Sequence, residues 1–105
     1  MKELTANKYD YDSQSDSVFF YGTDKEYEYS IDLDGIIIDF SEDKQIMGVE
    51  ILDASKKFNL SKSDLHNIKH FNALIEITKN NIDVSMKIEV SKRNKLDLIN
   101  IEWVI

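Results

Sequence analysis

The stretch GVEILDAS, residues 48–55, sets one carboxylate inside an apolar run and a second at its end. Two acids held close together can share a divalent cation or divide acid and base duties. Paired-carboxylate glycoside hydrolysis, for one, uses gaps of about 5–9.5 Å. A partner for Glu50 emerges when residues 36–40 and 45–52 are taken as strands joined by a tight turn at residues 42–45. Pairing residues whose numbers sum to 87 places Ile36, Ile38 and Phe40 on one face with Ile51, Val49 and Met47. The other face carries Ile37, Asp39, Ile46, Gly48, Glu50 and Leu52. A slip of one residue would mix the sets, so the pattern fixes the register. Asp39 and Glu50 then become diagonal neighbours beside Gly48, about 7–8 Å apart at Cα. The plainer reading is two solvated acids on a chain that has 20 of them.

His66 and His70 are the only histidines. On a helix, four-residue spacing puts both imidazoles on one face, the geometry of a two-histidine metal pair. Lys62 and Lys69 beside them would repel a divalent ion. Asp39, Glu50, His66 and His70 are thus the candidate metal ligands, and an exposed helix flank is the competing account of the histidines. DLDG, residues 32–35, has alternating acids before a glycine, as calcium loops do. A twelve-residue frame from Ser30 ends at Ser41 where a bidentate Glu is required, so a hairpin turn fits better. The basic cluster SKRNK, residues 91–95, has no aromatic stacking platform for nucleic acid. There is no cysteine, no G-x-S-x-G, no P-loop and no G-x-G-x-x-G. No catalytic residue and no cofactor is expected.

The elements that must position these residues form one domain, residues 1–105. Strand patterns recur at 17–21, 26–33, 36–40, 45–52, 71–78, 82–90 and 96–105. Turns fall at 22–25, 34–35, 41–44, 79–81 and 91–95. Residues 82–90 alternate most cleanly. Leu98 and Ile99 break the alternation of the last strand, which predicts a β-bulge there. That strand, ending in Trp-Val-Ile, is expected inside a sheet or paired across a dimer interface. Asp53 and Ser55 suit an N-cap. Ser61 and Asp64 have the spacing of a capping box before a helix over residues 62–70. The expected fold is α+β: a mostly antiparallel β meander of about seven strands with one central helix packed on the sheet. The first dozen residues are polar and expected to be partly loose.

Charge is uneven. Residues 1–53 hold 14 acids and 4 lysines, a net of −10, whereas residues 54–105 carry a net of +3. An acidic field opposes phosphate backbones, whose affinity rests on Lys and Arg. Nucleic acid is therefore an unfavoured partner. The opening MKELT leads into no apolar stretch, and the longest aliphatic run, residues 36–38, falls far short of the roughly 20 residues of a membrane helix. A cytoplasmic chain with no membrane partner is expected.

YDYDSQSDSVFFY (residues 9–21) and DLDGIIIDFSEDKQIMGVEILDAS (residues 32–55) together resemble a small prokaryotic family, domain of unknown function 2283. Tyr11, Asp12, Asp16, Asp39, Gly48, Glu50, Ala54 and Ser55 fall on its pattern, and Val49 stands where Ile is usual. The resemblance covers about residues 9–58. It implies a compact β-rich protein and brings no catalytic residues. Some relatives lie beside genes for small toxin-like proteins, which implies an acidic chain that binds a basic partner. The expected function is a non-enzymatic protein-interaction module, paired with such a toxin-like protein or with itself as a homodimer. The alternative is a metal-binding or hydrolytic site around Asp39 and Glu50.

Overall fold

The computed structural model describes residues 2–6, 8–22, 25–93 and 95–104. Residues 23, 24 and 94, from the expected turns at 22–25 and 91–95, lie outside that description, as does residue 105.

Alternation of apolar and polar side chains dictates strands almost throughout. In chain order they are β1 (Lys2–Ala6), β2 (Lys8–Asp12), β3 (Ser17–Tyr21), β4 (Tyr27–Asp32), β5 (Ile36–Ser41), β6 (Ile46–Ile51), β7 (Ile68–Ile77), β8 (Ile82–Lys92) and β9 (Lys95–Val104). A five-residue helix, α1 (Ala54–Phe58), and one 3-10 turn (Asp64–His66) sit between β6 and β7. The strands form two antiparallel sheets. The first has the order β2-β3-β6-β5-β4, the second β1-β7-β8-β9. Their apolar faces meet in one core. Phe20 of the first sheet stacks on Phe71 of the second, with ring centroids 3.7 Å apart and planes 3° from parallel. Ile38, Ile51, Met86 and Ile88 are fully buried around them. Burial of each such side chain stabilises by about 1.5–3 kcal/mol.

The hairpin at residues 33–36 forms as expected. Asp34 and Gly35 both have positive φ, 54° and 87°, and Leu33 and Ile36 exchange two backbone hydrogen bonds. That is the geometry Asp-Gly favours between twisted strands. Ile36, Ile37, Ile38 and Asp39 pair with Ile51, Glu50, Val49 and Gly48, the expected register. It shifts after Asp39, where Phe40 pairs with Ile46. Ile46 is consequently buried and Met47 only half-buried, the reverse of the expected placement.

The α+β expectation is overturned. The central helix over residues 62–70 does not form. Ser61 and Asp64 do close a reciprocal capping box, Asp64 N–H to Ser61 Oγ at 3.0 Å and Ser61 N–H to Asp64 Oδ2 at 3.2 Å. The box opens a single 3-10 turn, after which Ile68 already begins β7. The meander of about seven strands is nine strands among the described residues, split between two sheets, and the supposedly loose N-terminus supplies β1 and β2. β9 pairs with β8 in unbroken register, so no bulge occurs at Leu98, which faces outward while Ile99 faces inward. β9 is an edge strand and not interior. No helix among the described residues is long and apolar enough to cross a membrane.

Candidate functional site

The outer face of the first sheet carries the carboxylates. Asp39 lies opposite Gly48, and Glu50 lies between Phe19 and Ile37. The two acids are diagonal neighbours as the register requires, and both are half-buried. Gly48 is the reason the face has relief. A Cβ there would stand 2.7 Å from Phe19 Cε1 and 3.1 Å from the Phe20 carbonyl oxygen. The Phe19 ring occupies that space and stacks on Tyr21, centroids 5.3 Å apart. Asp39 is turned toward β4, where it accepts a 2.6 Å hydrogen bond from Ser30 Oγ, itself 2.8 Å from Tyr27 Oη. Asp39 thus has a partner other than Glu50.

The histidines are separated by the loss of the helix. His66 ends the 3-10 turn, exposed and edge-on to the Tyr11 ring at 5.0 Å. His70 lies in β7 opposite Glu89. Among the described residues, no group of three or more His, Asp or Glu is gathered to hold a metal ion. The basic turn at 91–95 is partly neutralised, since Lys92 Nζ lies 3.2 Å from Asp64 and 3.9 Å from Asp97.

A cluster that local reasoning missed joins Tyr11, Asp16 and Ser55. Asp53 has φ 52° and makes no side-chain cap. The cap comes instead from Asp16, 39 residues away from Ser55. The Asp16 carbonyl accepts the Ala54 N–H at 2.8 Å. Its carboxylate accepts the Ser55 N–H at 3.1 Å through Oδ1 and the Ser55 hydroxyl at 2.6 Å through Oδ2. The Tyr11 hydroxyl donates to Oδ1 at 2.7 Å. Burial works against charge on Asp16, but these hydrogen bonds, with Lys62 nearby, outweigh it and hold the carboxyl below its ordinary range. Desolvation first, then the hydrogen bond to the Asp16 carboxylate and its charge, pushes the Tyr11 phenol up to about 12. The arrangement fastens α1 to the first sheet. Tyr11, Asp16, Ala54 and Ser55 all lie on the family pattern, and that shared membership is the signal that could have found the cluster.

The remaining feature is an open edge. Of the four edge strands, β2 alternates charged residues outward, β1 has five residues, and β4 is irregular between Tyr27 and Tyr29. β9 is twice as long as β1 and regular over its ten residues, and its charged side chains, Lys95, Asp97 and Glu102, are outnumbered by Leu96, Leu98, Ile99, Ile101, Trp103 and Val104. Leu96, Leu98 and Val104 are 62%, 58% and 68% exposed on its outer side. Ile99, Ile101 and Trp103, on the side facing the core, are only half-buried. Beside them is a hollow of about 550 Å³, lined by Phe58 at the end of α1, Leu60, Ile99 and Ile101, with polar walls that include Lys57 and Asp97. Among the described residues, β9 pairs only with β8. A long, regular, apolar edge is a template for another strand.

Compared with known proteins, residues 8–55 match the family described as Protein of unknown function (DUF2283). A protein of Methanosarcina mazei, provisionally named hypoxanthine phosphoribosyltransferase, is 60% identical over 95 residues, which are 90% of this chain and 77% of that protein. An uncharacterized protein of Methanocaldococcus jannaschii is 40% identical over 89 residues, 84% of this chain and 77% of its own length. No solved structure matches the chain.

Proposed function

The chain belongs to the DUF2283 family, and we propose that it acts as a non-enzymatic protein-interaction module whose partner adds a strand along the free edge of β9. One observation carries this reading: β9 is a ten-residue edge strand with apolar side chains exposed on one side and half-buried on the other. Strand addition draws affinity from main-chain hydrogen bonds and specificity from pockets for alternate side chains. The edge of β9 supplies the first and the hollow beside Phe58 and Leu60 the second. The net acidic charge of the chain disfavours nucleic acid as that partner.

A phosphoribosyl transfer, suggested by the name of the Methanosarcina protein, has little to support it here. Phosphates are held at helix N-termini, in glycine-rich loops and by cations. The N-terminus of α1 is filled by the Asp16 carboxylate, the chain has three glycines, and it is net acidic. The carboxylate alternative at Asp39 and Glu50 lacks a third ligand among the described residues.

Affinity isolation from the native host tests the proposal with three forms of the chain: unaltered, Leu98→Lys, and Asp39→Asn with Glu50→Gln. A specific partner lost with Leu98→Lys and kept by the carboxylate variant is the expected result. A partner kept by Leu98→Lys, or lost only with the carboxylate variant, refutes the β9 assignment.

A further inference from the structure

We infer that the strand which completes the edge of β9 is β9 of a second copy, paired antiparallel about a two-fold axis at Ile101, with Trp103 of each copy entering the hollow of the other. This rests on the reading of β9 as a strand-accepting edge and names its occupant. In an antiparallel pair, residues directly opposite share a face. A symmetric self-pairing therefore has few possible centres, and the residue types choose among them. Centred on Asn100, it sets Glu102 against Leu98 and Asp97 against Trp103. Centred on Ile99, it sets Glu102 against Leu96 and Asp97 against Ile101. Both registers oppose carboxylates to apolar side chains. Centred on Ile101, it sets Ile101 against itself, Ile99 against Trp103, Leu98 against Val104 and Asn100 against Glu102. Between Leu98 and Val104 every apolar residue then meets an apolar residue and Glu102 meets an amide, while Asp97, which faces an apolar residue inside the matched stretch of both other registers, falls beyond it, opposite residue 105. Register is set by side-chain matching of this kind.

The hollow supplies an independent reason for the same register. Its β9 wall runs from Asp97 to Ile101, and Phe58 and Leu60 form its apolar side. With Ile101 on the axis, the Trp103 of the second copy stands beside Ile99, on the face that Phe58 and Leu60 underlie. An indole is the largest apolar group the chain has and the type that most often anchors an interface. In the single chain that indole is half-buried at an open edge. The exposed Leu98 and Val104 would cover each other on the outer side. The β9 pair would then lie at the centre of a joined eight-stranded sheet with a β1 strand at each edge.

The chain has no cysteine, so any disulfide formed by a single introduced cysteine joins two copies. Ile101→Cys places two sulfurs on residues about 4.5–5.5 Å apart at Cα, within disulfide range. Ile99→Cys places them four residues apart along the strands, about 13 Å, which is out of range. Under oxidised glutathione, Ile101→Cys should form a covalent dimer at least tenfold faster than Ile99→Cys or Asn100→Cys. Trp103 is the only tryptophan, so its emission in the unaltered chain should shift to the red on dilution as the indole leaves the hollow. Faster cross-linking at residue 99 or 100 overturns the register. A sedimentation profile that stays monomeric, with emission independent of concentration, overturns self-pairing. A different partner lost with Leu98→Lys would in that case still uphold β9 as the interaction edge.

Discussion

Replacing Asp16 by Asn isolates what its charge contributes to the fold. Asp16 has φ 53°, a left-handed conformation that Asn also tolerates, so the backbone is not the variable. Three donors converge on the carboxylate: the Tyr11 hydroxyl, the Ser55 N–H and the Ser55 hydroxyl. A hydrogen bond to a charged group contributes about 1.5–3 kcal/mol, and one between neutral groups about 0.5–1.5. The charge is thus worth roughly 1 kcal/mol per bond by the same comparison, and shared bonds are less than additive. Asp16→Asn should cost about 2 kcal/mol at pH 7, a downward shift of roughly 1 M in the urea midpoint. The pH dependence is the sharper test. The folded state lowers the Asp16 pKa, so its stabilisation is complete above the unfolded value of about 3.9 and fades as pH falls from there through the folded value. Urea unfolding of both forms from pH 7 down to pH 2.5 should show the gap closing only below about pH 4. A gap under about 0.5 kcal/mol at pH 7, or one that persists unchanged at pH 2.5, refutes the account of a remote charged cap.

The same geometry bears on alkaline stability and on the bed beneath Phe19. The Tyr11 phenol is raised from 10.0 to about 12, so the folded state holds its proton more tightly. The stability this contributes is present below pH 10 and lost as pH rises toward 12; Tyr11→Phe should remove that alkaline slope in unfolding measured by circular dichroism. Gly48→Ala should destabilise by about 1–3 kcal/mol, because its Cβ meets the Phe19 ring and the fixed Phe20 carbonyl. Pairing it with Phe19→Leu should recover part of the loss, and no recovery would place the conflict on the backbone alone.

The pairing of β5 with β6 was legible because Ile36, Ile38, Val49 and Ile51 alternate with polar residues and Asp34-Gly35 marks the preceding turn. The alternation of β8 was equally clear. The helix over residues 62–70 was misjudged for a traceable reason. β7 is irregular between Ile68 and His70. That irregularity changes the phase at the start of the strand, so Leu65 of the 3-10 turn, Ile68 and Asn72 fall at spacings of three and four residues, which imitates a helical stripe. The capping box at Ser61 was real but served one turn only. β1 and β2 were missed because KELTA and KYDYD alternate with few aliphatic residues, and their partners lie in β7 and β3. The Asp16 cap was invisible to local rules for another reason: a cap is sought within four residues of a helix start, and this one arrives from 39 residues away. Glu50, singled out first for chemistry, proved to be one rung of a sheet face.

The residues matched by the family run from 8 to 55, and that span holds β2 to β6 together with the first residues of α1. It is therefore the five-stranded sheet and its fastening. Tyr11, Asp16, Gly48, Ala54 and Ser55 each have a task within it, as hydrogen-bond donor, remote cap, bed for an aromatic ring, buried helix start and capped hydroxyl. Residues engaged in this way hold a structure together, and none of them is left facing a cavity with an unmet hydrogen bond. β9 lies outside that span, in the sheet whose open edge offers Leu96, Leu98 and Val104 to solvent. On the proposed reading, the first sheet with its Asp16 fastening is a common platform, and partner choice would rest on a strand that the platform carries but does not specify. On that division of labour, substitutions at Tyr11 or Asp16 lower stability and weaken partner binding only through unfolding, whereas Leu98→Lys abolishes binding with the unfolding midpoint nearly unchanged. Binding measured well below each variant's midpoint distinguishes the two, and a folded Asp16→Asn chain that no longer binds would refute it.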